Sequence, residues 1–292
     1  MFEIVEKKFL APNIVSMDIL APRVAKAAKP GQFVIVVADD KGERVPLTIC
    51  DYDTEKGTVN IVIQTIGAST KKISQLEKGD YLRDFVGPLG RPSDYVNEDL
   101  EEVKKRKYLF VAGGVGTAPV YPQARWFKEN GIDVDVIIGA KTKELIILED
   151  EMREVAGNLY VCTDDGSYGF NGMVTAMIEE LVENQGKKYD VIVAIGPMIM
   201  MKFVCLLTKK YGIKTIVSLN PIMVDGTGMC GACRVNVGGE TKFACVDGPE
   251  FDGHLVDWDL ALKRLAQYKK EEEELAKRGE EKVCICQQGG AN

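Results

Sequence analysis

Alternating apolar and amphipathic segments over residues 108–219 restrict the fold of this chain more than any other feature. Five near-continuous apolar segments are separated by segments with helical spacing. Strands that are apolar on both faces are typical of parallel sheets covered by helices on both sides. The pattern predicts a doubly wound parallel sheet, with strands at 108–113, 134–140, 159–163, 190–195 and 215–219 and helices at 120–129, 144–155, 172–184 and 198–211.

The turn that follows the first predicted strand has the composition of a phosphate-binding loop. It reads G-x-G-x-x-P, with Pro119 in place of the third glycine of the usual fingerprint, and proline suits the first turn of a helix. In sheets of this kind a dinucleotide binds at the carboxyl ends of the strands. The candidate residues at those ends are Gly114, Val115, Gly116, Thr117, Asp164, Asp165, Gly196, Pro197 and Met198.

Two acidic residues favour NAD(H) over NADP(H) as that dinucleotide. Asp164 and Asp165 would repel a 2′-phosphate, whereas Lys141 and Lys143 would attract one. Paired aspartates are equally typical of a solvated turn, so this alternative stays open.

Residues 1–98 have a different pattern, in which short β-rich segments lie between glycine-containing turns. Six segments are spaced as in a small antiparallel barrel, at 2–10, 14–20, 32–38, 45–51, 58–64 and 81–86. Residues 66–71 place glycine and hydroxyl groups at the start of a helix, where backbone N–H groups can bind a phosphate. Ser69 and Thr70 could instead simply cap that helix.

A glycine-rich segment nearer the end of the chain concentrates metal-binding side chains. Asp225, Cys230, Cys233 and Cys245 form the pattern D-x4-C-x2-C-x11-C. Thiolates bind both zinc and iron–sulfur clusters, but structural zinc sites usually pair two short cysteine knuckles, and this segment has one. The spacing therefore favours a [2Fe-2S] cluster, with a metal-free glycine-rich loop as the remaining alternative.

Asp225 stands where plant-type ferredoxin spacing would place a cysteine. We interpret its carboxylate as the fourth ligand, and an oxygen donor changes the electron distribution at its iron. In the alternative interpretation, Asp225 is a turn residue and Cys284 or Cys286, far downstream, supplies the fourth ligand.

Composition excludes several classes of function. The 292-residue chain has a net charge of −7, which argues against a nucleic-acid partner. Its longest apolar run, 197–207, is too short to span a membrane, and residues 1–8 resemble a strand more than a signal peptide. These features predict a cytoplasmic protein.

The sequence has eight cysteines and one histidine. In a reducing compartment the cysteines favour metal binding over disulfides, and Cys50, Cys162 and Cys205 have the apolar neighbours of core residues. A single histidine, His254, argues against histidine-based acid–base catalysis. We therefore expect cofactors to supply the chemistry.

The chain is expected to divide into four units. These are the barrel at 1–98, the nucleotide-binding sheet at 99–220, the cysteine-containing unit at 221–255 and a helical tail at 256–292, with a charged linker at 98–107. The tail opens with an apolar helical stripe that must pack on the body or on a partner, formed by Trp258, Ala261, Leu262, Leu265 and Tyr268.

The order of barrel, nucleotide-binding sheet and cysteine loop resembles the ferredoxin-NADP reductase superfamily. The resemblance covers nearly the whole chain and is strongest at 45–48, 67–70, 87–90, 113–119, 164–169, 196–197 and 225–245. Within the superfamily the chain is similar to the electron-transfer subunits of dihydroorotate dehydrogenase. In Asp225 and the long tail it looks like the small subunits of NADH-dependent reduced ferredoxin:NADP oxidoreductases.

This resemblance implies an FAD-binding barrel. The implied flavin contacts are Arg44, Val45, Pro46, Leu47, Thr48, Ile63, Gln64, Gly67, Ala68, Ser69 and Thr70. The family's barrel motif has arginine, any residue, an aromatic residue, and then serine or threonine. Here Val45 replaces the arginine and Leu47 the aromatic residue, with Arg44 one place early. This departure weakens the case for stacking on the flavin more than the case for FAD binding.

The resemblance further implies an oxidoreductase subunit that relays electrons. NAD(H) exchanges a hydride with FAD, and single electrons pass through a [2Fe-2S] cluster. The implied partner is a larger flavin and iron–sulfur subunit that splits electron pairs from NADPH between ferredoxin and this chain, which is electron bifurcation. The rival functions are an electron-transfer subunit for dihydroorotate oxidation and a nucleotide-sensing module with a structural metal.

Overall fold

The structure, a computed structural model, describes residues 1–271 and residue 274. It contains two seven-stranded sheets and one two-stranded sheet, and it confirms the predicted barrel followed by an α/β unit. Cys284 and Cys286 lie outside the described residues. Within the described part of the chain, no helix is long and apolar enough to cross a membrane.

The N-terminal barrel contains, in chain order, β1 (Phe2–Ala11), β2 (Ile14–Leu20), α1 (Pro22–Ala27), β3 (Phe33–Val37), β4 (Val45–Asp53), β5 (Thr58–Gln64), α2 (Ala68–Ser74), β6 (Tyr81–Leu82) and β7 (Asp84–Leu89). The strand order is β6-β1-β2-β5-β4-β3-β7. Only Arg83 separates the two edge strands in sequence, so the edges meet and the sheet nearly closes. Alternate side chains point inward and bury Met17, Ile61 and Ile63 completely.

The second unit contains, in chain order, α3 (Leu100–Lys104), β8 (Tyr108–Gly113), α4 (Thr117–Glu129), β9 (Asp135–Ala140), α5 (Glu149–Val155), β10 (Asn158–Thr163), β11 (Phe170–Asn171), α6 (Val174–Glu179), β12 (Val191–Ile195), α7 (Met198–Tyr211) and β13 (Lys214–Ser218). These strands are parallel, in the order β11-β10-β9-β8-β12-β13. Leu109 is buried on one face of the sheet and Phe110 on the other. The strand order reverses between β8 and β12, and this is the switch point at which such sheets bind ligands.

The remaining elements are β14 (Arg234–Val237), β15 (Glu240–Phe243), α8 (Ala244–Asp247), β16 (Glu250–Asp252) and α9 (Trp258–Leu265). The strands β14 and β15 form a hairpin, whereas β16 pairs antiparallel with β13 at the edge of the second sheet. The predicted cysteine-containing unit therefore contributes a strand to the nucleotide-binding sheet, which is mixed at that edge.

The predicted helix over 144–155 is wrong in its first half. A 3₁₀ turn spans Lys143–Leu145, and α5 begins only after Leu148, which has a φ of 55°. The side chain of Ile147 is 2% exposed and shares a cluster with Cys50 of the barrel. The non-helical segment thus lets Ile147 fill the space between barrel and sheet, a long-range requirement that overrides the local helical pattern.

Three other boundaries differ from the prediction. The strand predicted at 81–86 is divided at Arg83, whose N–H donates to the Val37 carbonyl of β3 at 3.0 Å. The helix predicted at 172–184 is α6 followed by a π-helical turn. The predicted linker at 98–107 contains α3.

The predicted apolar stripe at the start of the tail is helix α9, which packs on the body of the protein. Trp258, Ala261 and Leu262 contact the core on one face of the second sheet. The Asp257 carboxylate caps the helix by accepting a hydrogen bond from the Leu260 N–H at 3.0 Å. The first part of the stripe is therefore covered by this chain, whereas Leu265 and Tyr268 are exposed.

Candidate functional site

Glycines whose backbones touch build the switch point between β8 and β12. A β-carbon added at Gly116 would lie 2.2 Å from the carbonyl oxygen of Ile195, and one added at Gly196 would lie 3.1 Å from the Cα of Gly113. Gly114 has a φ of 55° and open space around its Cα. The turn presents bare backbone at the carboxyl edge of the sheet, which the close approach of a pyrophosphate requires.

The side chains of this turn support the backbone and do not line the edge. The Thr117 hydroxyl donates to the Gly114 carbonyl at 2.9 Å, and Thr117 is fully buried. Val115 packs toward the barrel, and Met198 is buried in the core. Pro197 immediately precedes α7. The groups at this edge that suit a dinucleotide are thus the N–H groups at the starts of α4 and α7.

The turn after β10 holds Asp164 and Asp165 at the same edge, separated from β8 by β9. The Asp165 carboxylate accepts from the N–H and hydroxyl of Ser167 at 3.0 and 2.6 Å, and these bonds lower its pKa. The N–H of Lys143 donates to the same hydroxyl, and its ammonium lies over the Tyr168 ring. Asp165 therefore fits the turn alternative, while Asp164 is exposed at the edge.

The predicted flavin strand, β4, lies between β3 and β5 in the barrel. Its first residues face β3 in the pairs Val45 with Val36, Pro46 with Ile35, Leu47 with Val34 and Thr48 with Phe33. On the other side, Ile63 of β5 is fully buried in the barrel core, and Gln64 ends that strand opposite Ile14. Ile63 can therefore meet a flavin only through its backbone.

The predicted phosphate-binding segment at the start of α2 caps its own helix. The Thr70 hydroxyl accepts from the Gly67 N–H at 3.0 Å and donates to the Gly67 carbonyl at the same distance. The Ser69 hydroxyl donates to the Glu43 carboxylate. The capping alternative thus accounts for Thr70 and occupies the Gly67 N–H, and the exposed backbone at Ala68 is the part that can still contact a phosphate.

Arg44, predicted as a flavin contact, forms hydrogen bonds with residues 224–246, which we call the cysteine loop. Its Nε donates to the Val224 carbonyl at 3.0 Å, and its Nη2 donates to the Asp225 carbonyl at 2.9 Å. The start of the predicted flavin strand is thereby joined to the predicted fourth ligand of the cluster.

The cysteine loop brings two of its four predicted ligands into contact. The Sγ atoms of Cys233 and Cys245 are 3.2 Å apart and both residues are buried, whereas Cys230 is exposed. Burial raises the pKa of Cys245 to about 12. The N–H of Ala232, 3.5 Å from the Cys230 sulfur, lowers the pKa of that thiol. The Cys230 thiol is therefore more readily ionised than the Cys245 thiol.

The Asp225 carboxylate is held by its own turn. It accepts from the N–H and hydroxyl of Thr227 at 2.8 and 2.5 Å and from the Met229 N–H at 3.3 Å, and the Thr227 bonds chiefly lower its pKa. Among residues 1–271 and 274, no three histidine, cysteine, aspartate or glutamate side chains converge as a metal site. The donor types still fit a cluster, so Asp225 and Cys230 remain predicted ligands beside the Cys233–Cys245 pair.

The cysteine loop packs on the barrel next to the predicted flavin strand. Cys233 and Cys245 share a buried cluster with Ile35 of β3. Gly226 fits against the same side chain, since a β-carbon added there would lie 2.8 Å from Ile35 Cγ1. Because Ile35 pairs with Pro46 of β4, only one strand separates the predicted flavin segment from the loop.

An ion pair that the sequence analysis missed joins β4 to the nucleotide-binding unit. Arg125 of α4 pairs with Asp51 of β4, and its guanidinium lies 5.0 Å from the centroid of the Tyr52 ring. The two charged side chains are 21% and 35% exposed, and burial raises the pKa of Asp51. The sequence feature that could have indicated this ion pair is Asp51 itself, an aspartate at the end of an apolar β-rich segment.

A second missed group is a glutamate that connects three parts of the chain. Glu250 of β16 accepts from the Ser93 hydroxyl at 3.0 Å and from the Gln123 amide at 2.8 Å. The Tyr95 hydroxyl completes the network by donating to Gln123 at 3.1 Å. Burial raises the pKa of Glu250 to about 7. No local motif marks this residue, because its partners belong to other elements.

Two family models match the chain at the places that this geometry singles out. Residues 220–257 match the iron–sulfur cluster binding domain of dihydroorotate dehydrogenase B, and residues 110–206 match the oxidoreductase NAD-binding domain. The first range includes all four predicted cluster ligands. The second includes the glycine turn and the switch point.

Relatives match this chain over nearly its whole length. An uncharacterised protein of Clostridium beijerinckii is 65% identical over 272 residues, 93% of this chain and 92% of that protein. A Thermotoga maritima protein, named a homolog of the dihydroorotate dehydrogenase B (NAD(+)) electron transfer subunit, is 48% identical over 270 residues, 92% of each chain. A solved structure of the NADH-dependent reduced ferredoxin-NADP oxidoreductase, described in terms of flavin-based electron bifurcation, has a TM-score of 0.86 and 46% identity, covering 95% of this chain and 97% of that one.

These matches confirm the expected class of protein and its cofactors. The chain is an oxidoreductase subunit of the fold that binds FAD and NAD(H), with an added [2Fe-2S] domain. Several of the relatives are named electron-transfer subunits of dihydroorotate dehydrogenase B or homologues of them. It belongs to the family of dihydroorotate dehydrogenase B electron-transfer subunits and their homologues.

Proposed function

We propose that this chain is the NAD-side subunit of a cytoplasmic, bifurcating ferredoxin:NADP oxidoreductase. It exchanges a hydride with NAD(H) through FAD, and single electrons through a [2Fe-2S] cluster with a larger flavin and iron–sulfur subunit. Ferredoxin and NADPH react at that larger subunit. The observation that carries the proposal is the direct packing of the cysteine loop on β3, the neighbour of the predicted flavin strand.

The residues of this chain bind and position the cofactors. FAD, when bound, supplies the chemistry that converts between hydride transfer and single electrons, which no side chain offers. Backbone N–H groups at Gly114 and Gly116 would hold the dinucleotide phosphates, and the start of α2 would hold the flavin pyrophosphate. Thr48 would offer its hydroxyl to the flavin, and Asp164 would accept a hydrogen bond from the ribose of NAD(H).

The ion pair of Arg125 with Asp51 sets the distance between the two binding units. It fixes α4, whose first turn follows the glycine loop, against β4, which carries the flavin contacts. Hydride transfer requires reacting atoms at about 3–3.5 Å. A link between the helix and the strand therefore bears directly on the reaction.

The test is an absorbance and metal analysis of the chain purified with the partner that accompanies it. The proposal predicts FAD, together with iron and acid-labile sulfide in the ratio of a [2Fe-2S] cluster. It also predicts that Asp225→Ala alters or abolishes the cluster absorbance. A protein that contains zinc and no flavin would contradict the proposal.

A second candidate function is electron transfer from dihydroorotate to NAD. The match of residues 220–257 and the names of several relatives favour it. Asp225, in the position of the first cysteine of the ferredoxin spacing, favours the bifurcating enzyme. The purified complex should lack dihydroorotate:NAD activity, and the presence of that activity would select the second candidate.

A further inference from the structure

Four arginines donate hydrogen bonds to main-chain carbonyls at or beside the four predicted cluster ligands. The carbonyls are those of Asp225 itself, of Gly231 after Cys230, of Ala232 before Cys233 and of Val246 after Cys245. The donors are Arg44 at 2.9 Å, Arg234 at 3.0 Å, Arg264 at 3.1 Å and Arg91 at 3.3 Å, in the same order. We call these residues the arginine set.

The arginine set comes from four separate parts of the fold. Arg44 immediately precedes β4, Arg91 follows β7, Arg234 begins β14, and Arg264 lies in the last turn of α9. Three of the four hydrogen bonds therefore join the loop to an element distant in sequence. Local loop geometry alone does not account for that convergence.

The charge of the set matters as much as its hydrogen bonds. A [2Fe-2S] cluster with three thiolates and a carboxylate is an anion, and electron uptake makes it more negative. A nearby guanidinium, which stays protonated, stabilises the more negative form. Arg44 forms no salt bridge within 4.0 Å in the part of the chain that the structure describes, and its guanidinium donates to the Val224 and Asp225 carbonyls, so its charge lies beside a predicted cluster ligand.

We propose that the arginine set raises the reduction potential of the cluster as well as holding its loop. The inference rests on the proposed function, because it presupposes a cluster at Asp225, Cys230, Cys233 and Cys245. Its members are positioning residues, since they contact the main chain next to the ligands. Without them, the cluster would accept an electron from the flavin less readily.

The expected effect of each arginine on the reduction potential of the cluster depends on how deeply its side chain is buried. Arg44 and Arg264 are half-buried, whereas Arg91 and Arg234 are exposed. Solvent and salt screen exposed charges far more than partly buried ones. Loss of the Arg44 charge should therefore change the potential most, and loss of the Arg91 charge should change it least.

The test is an EPR-monitored redox titration of the full chain in its complex, in which the cluster takes one electron from a mediator dye. For Arg44→Gln we expect the ratio of reduced to oxidised cluster at a fixed potential to fall about tenfold, or about 59 mV. Arg44→Lys keeps the charge and should stay within about threefold of the unmodified protein. Arg91→Gln should change the ratio less than Arg44→Gln does.

The controls separate the arginine set from the proposed function. Arg153→Gln removes an arginine that pairs with Glu149 within α5 and should leave the potential unchanged. If Arg44→Gln loses iron, Arg264→Gln carries the same test. An intact cluster with an unchanged potential in Arg44→Gln, or an equal shift in Arg44→Lys, would overturn the inference. Absence of a cluster from the unmodified protein would instead overturn the proposed function.

Discussion

The nucleotide edge, residues 113–117 and 196–197, is held by backbone packed on backbone, whereas the cysteine loop, residues 224–246, is held by side chains from other elements. At the edge, a β-carbon on Gly116 would meet the Ile195 carbonyl at 2.2 Å. At the loop, Arg44, which immediately precedes β4, and Arg264 of α9 donate to main-chain carbonyls. The first arrangement leaves no space for a side chain at Gly116, while the second can be adjusted one contact at a time.

The largest effect that this comparison predicts is that of Gly116→Ala. The added methyl group meets backbone atoms of β12, which cannot move without separating two central strands. We expect the free energy of unfolding to fall by about 3 kcal/mol and NADH to bind at least ~10-fold more weakly. Denaturant unfolding and a titration with NADH measure the two effects.

Gly131→Ala is the matched control for that substitution. Gly131 lies just past the other end of α4, with a φ of 71° and nothing within 4 Å of an added β-carbon. The Gly131→Ala substitution should lower the free energy of unfolding by about 1 kcal/mol, because only the strain of left-handed backbone is added. It should leave NADH affinity unchanged. Normal NADH binding by Gly116→Ala would contradict the tight-packing description of the edge.

The same contrast explains which features could be predicted from the sequence. The glycine turn at 114–117 was predictable because strand, turn and helix follow one another in the chain. The spacing of Asp225 and the cysteines predicted a ligand loop, but not that Cys233 and Cys245 would be the pair in contact. Arg44 stays a predicted flavin contact from its place next to the motif, but its hydrogen bonds to the loop could not be predicted, because they join residues far apart in the chain.

Features that depend on distant partners could not be predicted. The break before α5 exists because Ile147 fills the joint between barrel and sheet. Glu250 acquires its partners, Ser93 and Gln123, only when three parts of the chain assemble. No local pattern encodes such contacts, since each requires a tertiary neighbour.

The pH dependence of stability tests the buried contact of Glu250 with Gln123, which joins β16, just after the cysteine loop, to α4, just after the glycine turn. The pKa of Glu250 rises from the ordinary 4.5 to about 7 on folding, so the folded state keeps a proton that the unfolded chain has released. Stability from this group is therefore present below about pH 4.5 and is lost as pH rises to about 7. We expect a loss of about 3 kcal/mol across this range, since one pKa unit corresponds to about 1.4 kcal/mol.

Glu250→Gln should remove that pH dependence. Its amide oxygen can accept the same two hydrogen bonds, so the variant should be about 3 kcal/mol more stable than the unmodified protein at pH 8 and equal to it near pH 4. Unfolding by urea at several pH values is the measurement. Glu240→Gln, at an exposed position, is the control, and an unchanged pH slope in Glu250→Gln would refute the prediction.

Gly226→Ala tests how tightly the cysteine loop packs on the barrel. Gly226 has a φ of 83°, and the added methyl group would meet Ile35 Cγ1 at 2.8 Å, a side-chain atom that can move. We expect a loss of roughly 1–2 kcal/mol, less than for Gly116→Ala, with a broadened EPR signal of the cluster. Gly239→Ala has a similar φ of 81° and nothing within 4 Å, so it isolates the contact with Ile35. Equal effects of the two variants would show that this contact is unimportant.

The smallest expected effect is that of Arg125→Met, which breaks the link between the nucleotide helix and β4. The partly exposed pair with Asp51 should contribute about 1 kcal/mol to stability. Stopped-flow reduction of the flavin should slow a few-fold, roughly 1 kcal/mol in the barrier, while NADH affinity is retained. Arg153→Met removes a pair within α5 whose arginine is exposed, and it should change neither quantity. Hydride transfer at the unmodified rate would show that Arg125 has no positioning role.

The most direct test of electron transfer from the flavin strand to the cysteine loop is rapid-freeze EPR after anaerobic addition of NADH to the purified complex. The flavin-containing protein should develop the signal of a reduced [2Fe-2S] cluster after its flavin absorbance bleaches, and the same protein stripped of flavin should not. A cluster that stays oxidised while the flavin is reduced, or one that NADH reduces equally well without flavin, would contradict electron transfer from the flavin to the cluster.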